Sequence, residues 1–586
     1  MRFEAPVADI GFCLEQIAGL GDLRRDGLAP EADSDFVCQV LDRAGRMAES
    51  LIAPLDLDAD RIGSQFEAGR VTTPPGFVDA YARWCSDGWV SADAPVENGG
   101  MGLPMSVGAA LTELWHSGSM GFAMGLLLTQ AASELLSRKG SEELKAIYLP
   151  RLVSGEWAAT MSMTEPQAGS DLTLSRALAR AQPDGSFRIT ANKIFISYGE
   201  HDLTSNIVHM VLARIDGAGS GERGLSLFLV PKRIPDAHGN LGEMNDVVCT
   251  GIERKLGLHG SPTCMMAYGA HDGAVGWLVG EEGQGLPAMF TMMNRARLGT
   301  GLQGAGVGEK ATQLAFAYAR SRIQGRGPAG KPALIIEHPD VQRMLLDMRS
   351  GVMAVRGLSY FTAIAIDRAA REPDPKRRRA AADRAALLTP IVKAWGSDIG
   401  VDVASLGIQV HGGAGFVEET GAAQRLRDIR IAPIYEGTNG LQAIDLVLRK
   451  LVRGGRTTAD LLLAELRGVV AQAEGGALAS VGALALEAID ALEAAIDWIV
   501  DQARTSIELH WAATPALRLF GDVVGGVLLL KGALAEPGAH CRKPEDMVLL
   551  ARFFAEKRFS HAPGLLAQVR AGAGVPSAAA GLAAYT

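Results

Sequence analysis

Apolar and polar positions change their spacing along the chain, and the changes predict its elements. Over residues 1–156 apolar side chains recur at steps of three and four. Phe36, Val37, Val40 and Leu41 do so, as do Leu144, Ile147, Tyr148 and Leu149. That spacing lines one face of a helix, and Ser141 is placed to cap the second one. Residues 98–104, with three glycines and a proline, read as a loop. Residues 121–128 are apolar on all sides, as in a buried core helix or the wall of an apolar tunnel. Between 157 and 282 the period shortens. Residues 187–190, 193–197, 208–213 and 225–230 read as short strands between Gly-containing turns, a β domain between helical ones. Over 283–455 long helical patterns return, at 304–322, 338–371, 379–406 and 438–451. Four such helices predict an antiparallel bundle. Residues 456–586 are Ala/Leu-rich with helical period, as over 484–500, and the Ala/Gly tail from Ala571 reads as loosely held. The expected fold class is α+β, mostly α. Its domains are an N-terminal helical domain (1–156), a middle β domain (157–282), a four-helix bundle (283–455) and an additional helical domain (456–586).

Composition narrows the function classes. A chain of 586 residues exceeds a single core. Its 48% hydrophobic and 21% charged residues are those of a globular protein. A net charge of -9 gives no electrostatic footprint for nucleic acid. In the additional domain acidic side chains slightly outnumber basic ones, and the basic run 376–379 reads as a solvated helix start. The six cysteines, Cys13, Cys38, Cys85, Cys249, Cys264 and Cys541, form no CxxC, and no histidine stands at metal-ligand spacing. That argues against a disulfide scaffold and a structural metal and fits a reducing compartment. The first residues lack a charged start followed by an apolar stretch, so no signal peptide is expected. No apolar run reaches about 18 residues, so no membrane span is expected. A cytoplasmic location follows as the expectation.

One stretch carries candidate chemistry. Residues 433–440 read Pro433-Ile434-Tyr435-Glu436-Gly437-Thr438-Asn439-Gly440. A single carboxylate stands between an apolar approach and a Gly-Thr-Asn-Gly turn. Apolar neighbours disfavour a charged carboxylate and raise its pKa towards neutrality, where a general base works best. Gly437 and Gly440 offer backbone conformations that a Cβ forbids. By itself the stretch also fits an ordinary turn with a glutamate beside it.

Two further motifs change that balance: Met161-Ser162-Met163-Thr164-Glu165-Pro166-Gln167-Ala168-Gly169-Ser170-Asp171, ahead of the strands, and Gln409-Val410-His411-Gly412-Gly413-Ala414-Gly415-Phe416. With Glu436 they resemble the acyl-CoA dehydrogenase family over roughly residues 80 to 450. The extra C-terminal domain and the opening Phe3-Glu4-Ala5-Pro6-Val7-Ala8-Asp9 resemble its long subfamily, which includes methylmercaptopropionyl-CoA dehydrogenase. The resemblance implies FAD as cofactor, an acyl-CoA substrate, electron-transfer flavoprotein as acceptor, a role in fatty acid β-oxidation, and a homo-oligomer, at minimum a dimer. The substrate it implies is 3-methylmercaptopropionyl-CoA or a short- to medium-chain acyl-CoA. It implies Glu436 as the catalytic base, since Ala296 stands where some members carry theirs. FAD contacts fall on Met163, Thr164, Ser170, Phe195, Ser197, Arg322, Gln409, Gly412, Gly413 and Thr438. Substrate contacts fall on Ser170, Asn294, Arg297 and Glu436. Phe195 and Ser197 stand where members commonly have Trp and Thr. They are two apart on a strand, hence on one face. Asn294 replaces a common Asp, and Gly440 a common Gln. His411 is expected to be a structural loop histidine. Two rivals share the fold: an acyl-CoA oxidase that reoxidises its flavin with oxygen, and a non-catalytic DNA-associated member.

Overall fold

The computed structural model describes residues 3–327, 330–501, 505–535 and 544–571. Cys541 and the tail beyond Ala571 lie outside them. Helices, then strands, then long helices, then further helices follow in chain order. The chain forms two compact units. One comprises Met47–Leu103 and Gly118–Ala296, the other Met1–Arg46, Pro104–Ser117 and Arg297–Thr586.

In the first unit, eight strands join into one sheet. Its main path runs Val247–Ile252, Thr263–Tyr268, Phe187–Ser197, Ala274–Leu278, Leu225–Pro231, Asn206–Ile215, Trp157–Ser162. Leu178–Ala181 pairs with both Phe187–Ser197 and Asn206–Ile215. Its two pairings close a barrel-like ring that excludes the outer strands. Residues 187–197 are one strand rather than the two short ones that the sequence reading predicts. Alternation explains this: Phe187, Ile189, Ala191 and Lys193 are buried while Arg188, Thr190 and Asn192 are exposed. Trp157–Ser162 escapes the pattern because every residue in it is buried, which erases alternation. Met120–Lys139 is a core helix, enclosed on nearly all sides. Ser141 caps Glu142–Ser154, its Oγ accepting from Leu144 N–H at 3.3 Å.

The second unit is built on three long helices, Gly285–Ala319 (from Arg297 onward), Pro339–Arg371 and Pro375–His411. A connection of residues 372–374 makes the last two antiparallel neighbours. The fourth expected helix, 438–451, begins as the α-helix Asn439–Ile444 and continues as a wide-turned π segment, Asp445–Arg453. Gly285–Ala319 and Pro375–His411 touch backbone to backbone. A Cβ on Gly304 would stand 2.0 Å from Gly396 O, so only glycine permits the approach. The N-terminal segment is pinned here by buried charge. Arg349 pairs with Asp9 and Glu309, and Arg356 with Glu113 and Glu309. Tyr360 donates to Glu113 at 2.6 Å.

The additional helices pack on the same bundle. Ser506–Leu534 is long and apolar enough to cross a membrane, but 83% of its apolar window is buried inside the protein. It packs against Pro339–Arg371, Pro375–His411 and Asn439–Ile444 and is therefore a core helix.

Candidate active site

Glu436 occupies a turn that its own backbone defines. The helix Ala422–Ile429 ends, and the chain turns back so that Asn439 N–H reaches Pro433 O at 3.0 Å. Glu436 lies at φ +57° and Gly437 at φ +82°. A left-handed conformation is uncommon for a side-chain-bearing residue and marks stored strain. Gly440 differs from expectation. It lies in the first turn of Asn439–Ile444, where a Cβ would meet nothing closer than 3.9 Å. The unusual conformation falls on the glutamate instead. Neighbours fix it there: Gln442 Nε2 donates to the carbonyls of Glu436 (3.1 Å) and Gly437 (3.2 Å). Arg297 Nε donates to Glu436 O at 3.4 Å. The Tyr435 hydroxyl bonds Gln303 Oε1, and Thr438 Oγ1 accepts from Leu441 N–H at 3.3 Å, capping the helix.

The carboxylate itself is left unpaired. Oε2 is enclosed and has no hydrogen-bond partner. Burial pushes the carboxyl up to about 7, against the opposing pull of Arg297 and Lys393. A half-ionised carboxyl with free lone pairs is equipped to take a proton near neutral pH.

In the same unit, Arg322 lies beyond its helix, which closes at Ala319 rather than at 322 as expected. It is exposed, as are Gln409, Gly412 and Gly413. The ring of Tyr318 stacks on that of His411 at 4.5 Å, which holds the segments of Arg322 and Gly412 together. His411 is the last residue of Pro375–His411, not a loop residue, and its Nδ1 is bonded to Gly407 O at 2.7 Å. Burial lowers its pKa. Gly412 and Gly413 face open space.

In the sheet unit, Lys193 and its neighbours on the strand hold Met163 and Thr164. Its buried Nζ donates to Met163 O (2.9 Å), Leu212 O (2.8 Å) and Glu165 Oε1 (2.8 Å). Ile194 N–H donates to Thr164 O at 2.9 Å, and Thr160 Oγ1 to Ser197 O at 2.6 Å. Met163 and Thr164 are half-buried, and Ser170 is exposed. A two-residue step alone does not explain where Phe195 points. In a regular strand it would follow Lys193 into the core. A bulge intervenes: Met266 pairs with Lys193 but Cys264 with Ile196, so two residues oppose one. Phe195 takes φ +59°, Ile196 becomes the buried residue, and Phe195 and Ser197 turn outward. Phe195 is 59% exposed, which rules out core packing. Asn294 is exposed on its helix, and Ala296 is buried.

Models of the acyl-CoA dehydrogenase N-terminal, middle and C-terminal domains match residues 39–156, 160–269 and 283–451 in order. A fourth, acetyl-CoA dehydrogenase C-terminal like, matches 462–578. The 3-methylmercaptopropionyl-CoA dehydrogenase of Ruegeria pomeroyi is 44% identical over 543 residues, 91% of each chain. The chain belongs to the acyl-CoA dehydrogenase family. It is an oxidoreductase of a family that binds FAD. Two solved structures share the fold. ACDH-11 of Caenorhabditis elegans in complex with C11-CoA has a TM-score of 0.78 at 21% identity, covering 94% of this chain and 90% of that one. An acyl-CoA dehydrogenase from Bacillus anthracis complexed with FAD has a TM-score of 0.76 at 22% identity, covering 92% and 89%.

Sequence reasoning missed several residues of this acyl-CoA dehydrogenase that shape the site, Lys193, Gln303, Lys393 and Gln442, and it read Asn439 as a polar group for a ligand rather than as a partner of Lys393. Lys193 left a trace, as a lysine at a core position of an alternating strand. Gln303, Lys393 and Gln442 are polar residues in helical patterns, and nothing in their spacing points at Glu436.

Proposed function

We propose that this acyl-CoA dehydrogenase takes 3-methylmercaptopropionyl-CoA, or a short- to medium-chain acyl-CoA, to its trans-2-enoyl-CoA, with Glu436 as the base. The observation that carries this is the enclosed, unpartnered Oε2 of a carboxyl raised to about 7. Glu436 takes the α-proton, the β-hydrogen leaves with its electron pair, and the Cα–Cβ double bond forms. FAD, when bound, supplies the hydride acceptor. The backbone N–H of Glu436, in its left-handed turn, faces the thioester oxygen as charge develops there.

The residues present fit the cofactor. Phe195 offers an exposed aromatic face held out by the bulge, beside Ser197, and the backbone of Met163 and Thr164 lies next to them through the Lys193 and Ile194 bonds. Ser170, Arg322, Gln409, Gly412, Gly413 and Thr438 supply the polar and open-backbone contacts for the rest of it, and guanidinium suits diphosphate. Asn294, Arg297 and Ser170 bear on the acyl-CoA. The four-segment domain order 1–156, 157–282, 283–455, 456–586 belongs to the same reading, supported by the order of the matched domains. The acceptor is electron-transfer flavoprotein, the assembly a homodimer and the location cytoplasmic.

The test is a panel of acyl-CoAs with a dye acceptor, including 3-methylmercaptopropionyl-CoA. Turnover confined to long chains overturns the substrate assignment. Stoichiometric peroxide under air would make the enzyme an oxidase.

A further inference from the structure

Lys393 is fully buried in the middle of Pro375–His411. Its Nζ donates to Asn439 Oδ1 at 2.8 Å. The orientation of that amide follows from its partners. Asn439 Nδ2 donates to Asp398 Oδ1 (2.7 Å), Ser397 Oγ (3.0 Å) and Ala394 O (3.1 Å), so Oδ1 faces the lysine, with the Ser397 hydroxyl as a longer second donor at 3.4 Å. Asn439 opens the helix that follows the Glu436 turn, so the lysine braces the segment carrying the base. An apolar residue of this length would avoid the desolvation that a buried ammonium suffers. The charge therefore calls for a use beyond filling space.

We propose that Lys393 is a positioning residue for the base: its ammonium, seated on Asn439, holds the turn and supplies a positive charge that Glu436 works against. The inference rests on Glu436 being the base. Among the described residues of this unit, the charged groups that act on the pair are these. Glu436 feels Arg297 and Lys393. Lys393 feels Glu436, Asp398 and Arg297. Asp445 and Arg449 act on Arg297, and Asp402 and Arg518 on Asp398. Burial brings Lys393 down to about 7, so its charge is strongest on the acid side, where the carboxylate most needs support.

The experiment is the pH profile of anaerobic flavin bleaching by 3-methylmercaptopropionyl-CoA, with butyryl-CoA as a second substrate, on the FAD-loaded enzyme. Lys393→Gln keeps a donor for Asn439 but removes the charge. Its acid limb moves up by about one pH unit, about a tenfold loss at low pH that fades as pH rises. Lys393→Arg keeps the limb where wild type has it. Difference infrared spectra, assigned against Glu436→Gln, show the protonated carboxyl persisting to higher pH in Lys393→Gln. A Lys393→Gln profile that superimposes on wild type overturns the proposal. So does a loss equal at every pH, which is the signature of a brace alone. If Lys393→Gln does not retain FAD, Lys393→Met is read by the same criteria, and failure of both to fold with FAD overturns the role in favour of a structural one. The base assignment fails separately, if Glu436→Gln bleaches at the wild-type rate.

Discussion

Glu436 combines two costly features, a left-handed backbone and a carboxyl without a donor. A carboxyl held near pH 7 is ionised on the alkaline side of that value, so bleaching should accelerate as pH rises through about 7 and then level off. Glu436→Gln removes the proton acceptor and keeps the shape. Bleaching should fall by about 10²- to 10⁴-fold, while the protein stays yellow and an enoyl-CoA still perturbs its spectrum. The same change should stabilise the fold at pH 8. The sign follows from linkage: the folded pKa is raised from 4.5 to about 7, so ionisation above about 4.5 favours the unfolded chain. Gln removes that penalty of up to about 3 kcal/mol. Denaturant titration at pH 8 checks it. A mutant that is both inactive and less stable at pH 8 would mean that the turn, not the charge, has been disturbed.

At the scale of elements, the bulged strand Phe187–Ser197 does the placing. Its buried Lys193 ties Met163 and Glu165 to the strand, so Lys193→Met removes the charge partner of a buried carboxylate, though not its bonds from Ser175, Arg176 and Ala177, and should destabilise by about 3–5 kcal/mol. Burial alone would raise Glu165, but Lys193, Ser175 and the Arg176 N–H bring it down to about 2. A depressed folded pKa means stability present above the unfolded value and lost as pH falls from about 4.5 to about 2. Wild type should therefore lose stability in that window, and Lys193→Met should lose less there. Identical acid profiles by thermal melts would place the coupling elsewhere. Much of this was legible from sequence. The order of helices, strands and bundle follows from changes of period, and Glu436 stands out because its turn residues are local. The bulge was not legible: it depends on which residues of Thr263–Tyr268 face 193–197, and pairing register across distant strands leaves no mark in either segment. The bracing of Asn439 by Lys393 is hidden for a similar reason, since their helices meet only in the fold.

At the scale of the molecule, the described N-terminal segment and the additional helices both pack on the helices that frame the Glu436 turn. Lys531, on Ser506–Leu534, donates to Ile17 O at 2.8 Å, joining the N-terminal segment to the additional helices. Trp395, two residues from Lys393 on Pro375–His411, reaches into the additional helices. Its Nε1 donates to Asp522 at 3.0 Å, and Arg558 bonds the same carboxylate at 3.4 Å. Its ring lies on Gly521 and Gly525, so that a Cβ on Gly521 would fall 2.2 Å from Trp395 Cγ. The additional helices thus pack directly on the helix that carries Lys393. Two glycine-to-alanine changes separate this from general stability. Gly468, on Thr457–Ala471, has nothing within 4 Å of an added Cβ, so Gly468→Ala should gain about 0.5–1 kcal/mol from helix propensity alone. Gly521→Ala has the same propensity gain. It also forces a methyl into a ring that is buried, hydrogen-bonded and flanked by Phe554. Overpacking of about 1–3 kcal/mol outweighs that gain, so its melting temperature should fall. Bleaching should slow as well, well below the melting temperature, because the ring can yield only by shifting the backbone near Lys393. Gly468→Ala should bleach at the wild-type rate. If Gly521→Ala melts lower yet bleaches as fast as wild type, the additional helices stabilise the bundle without setting the geometry of the base.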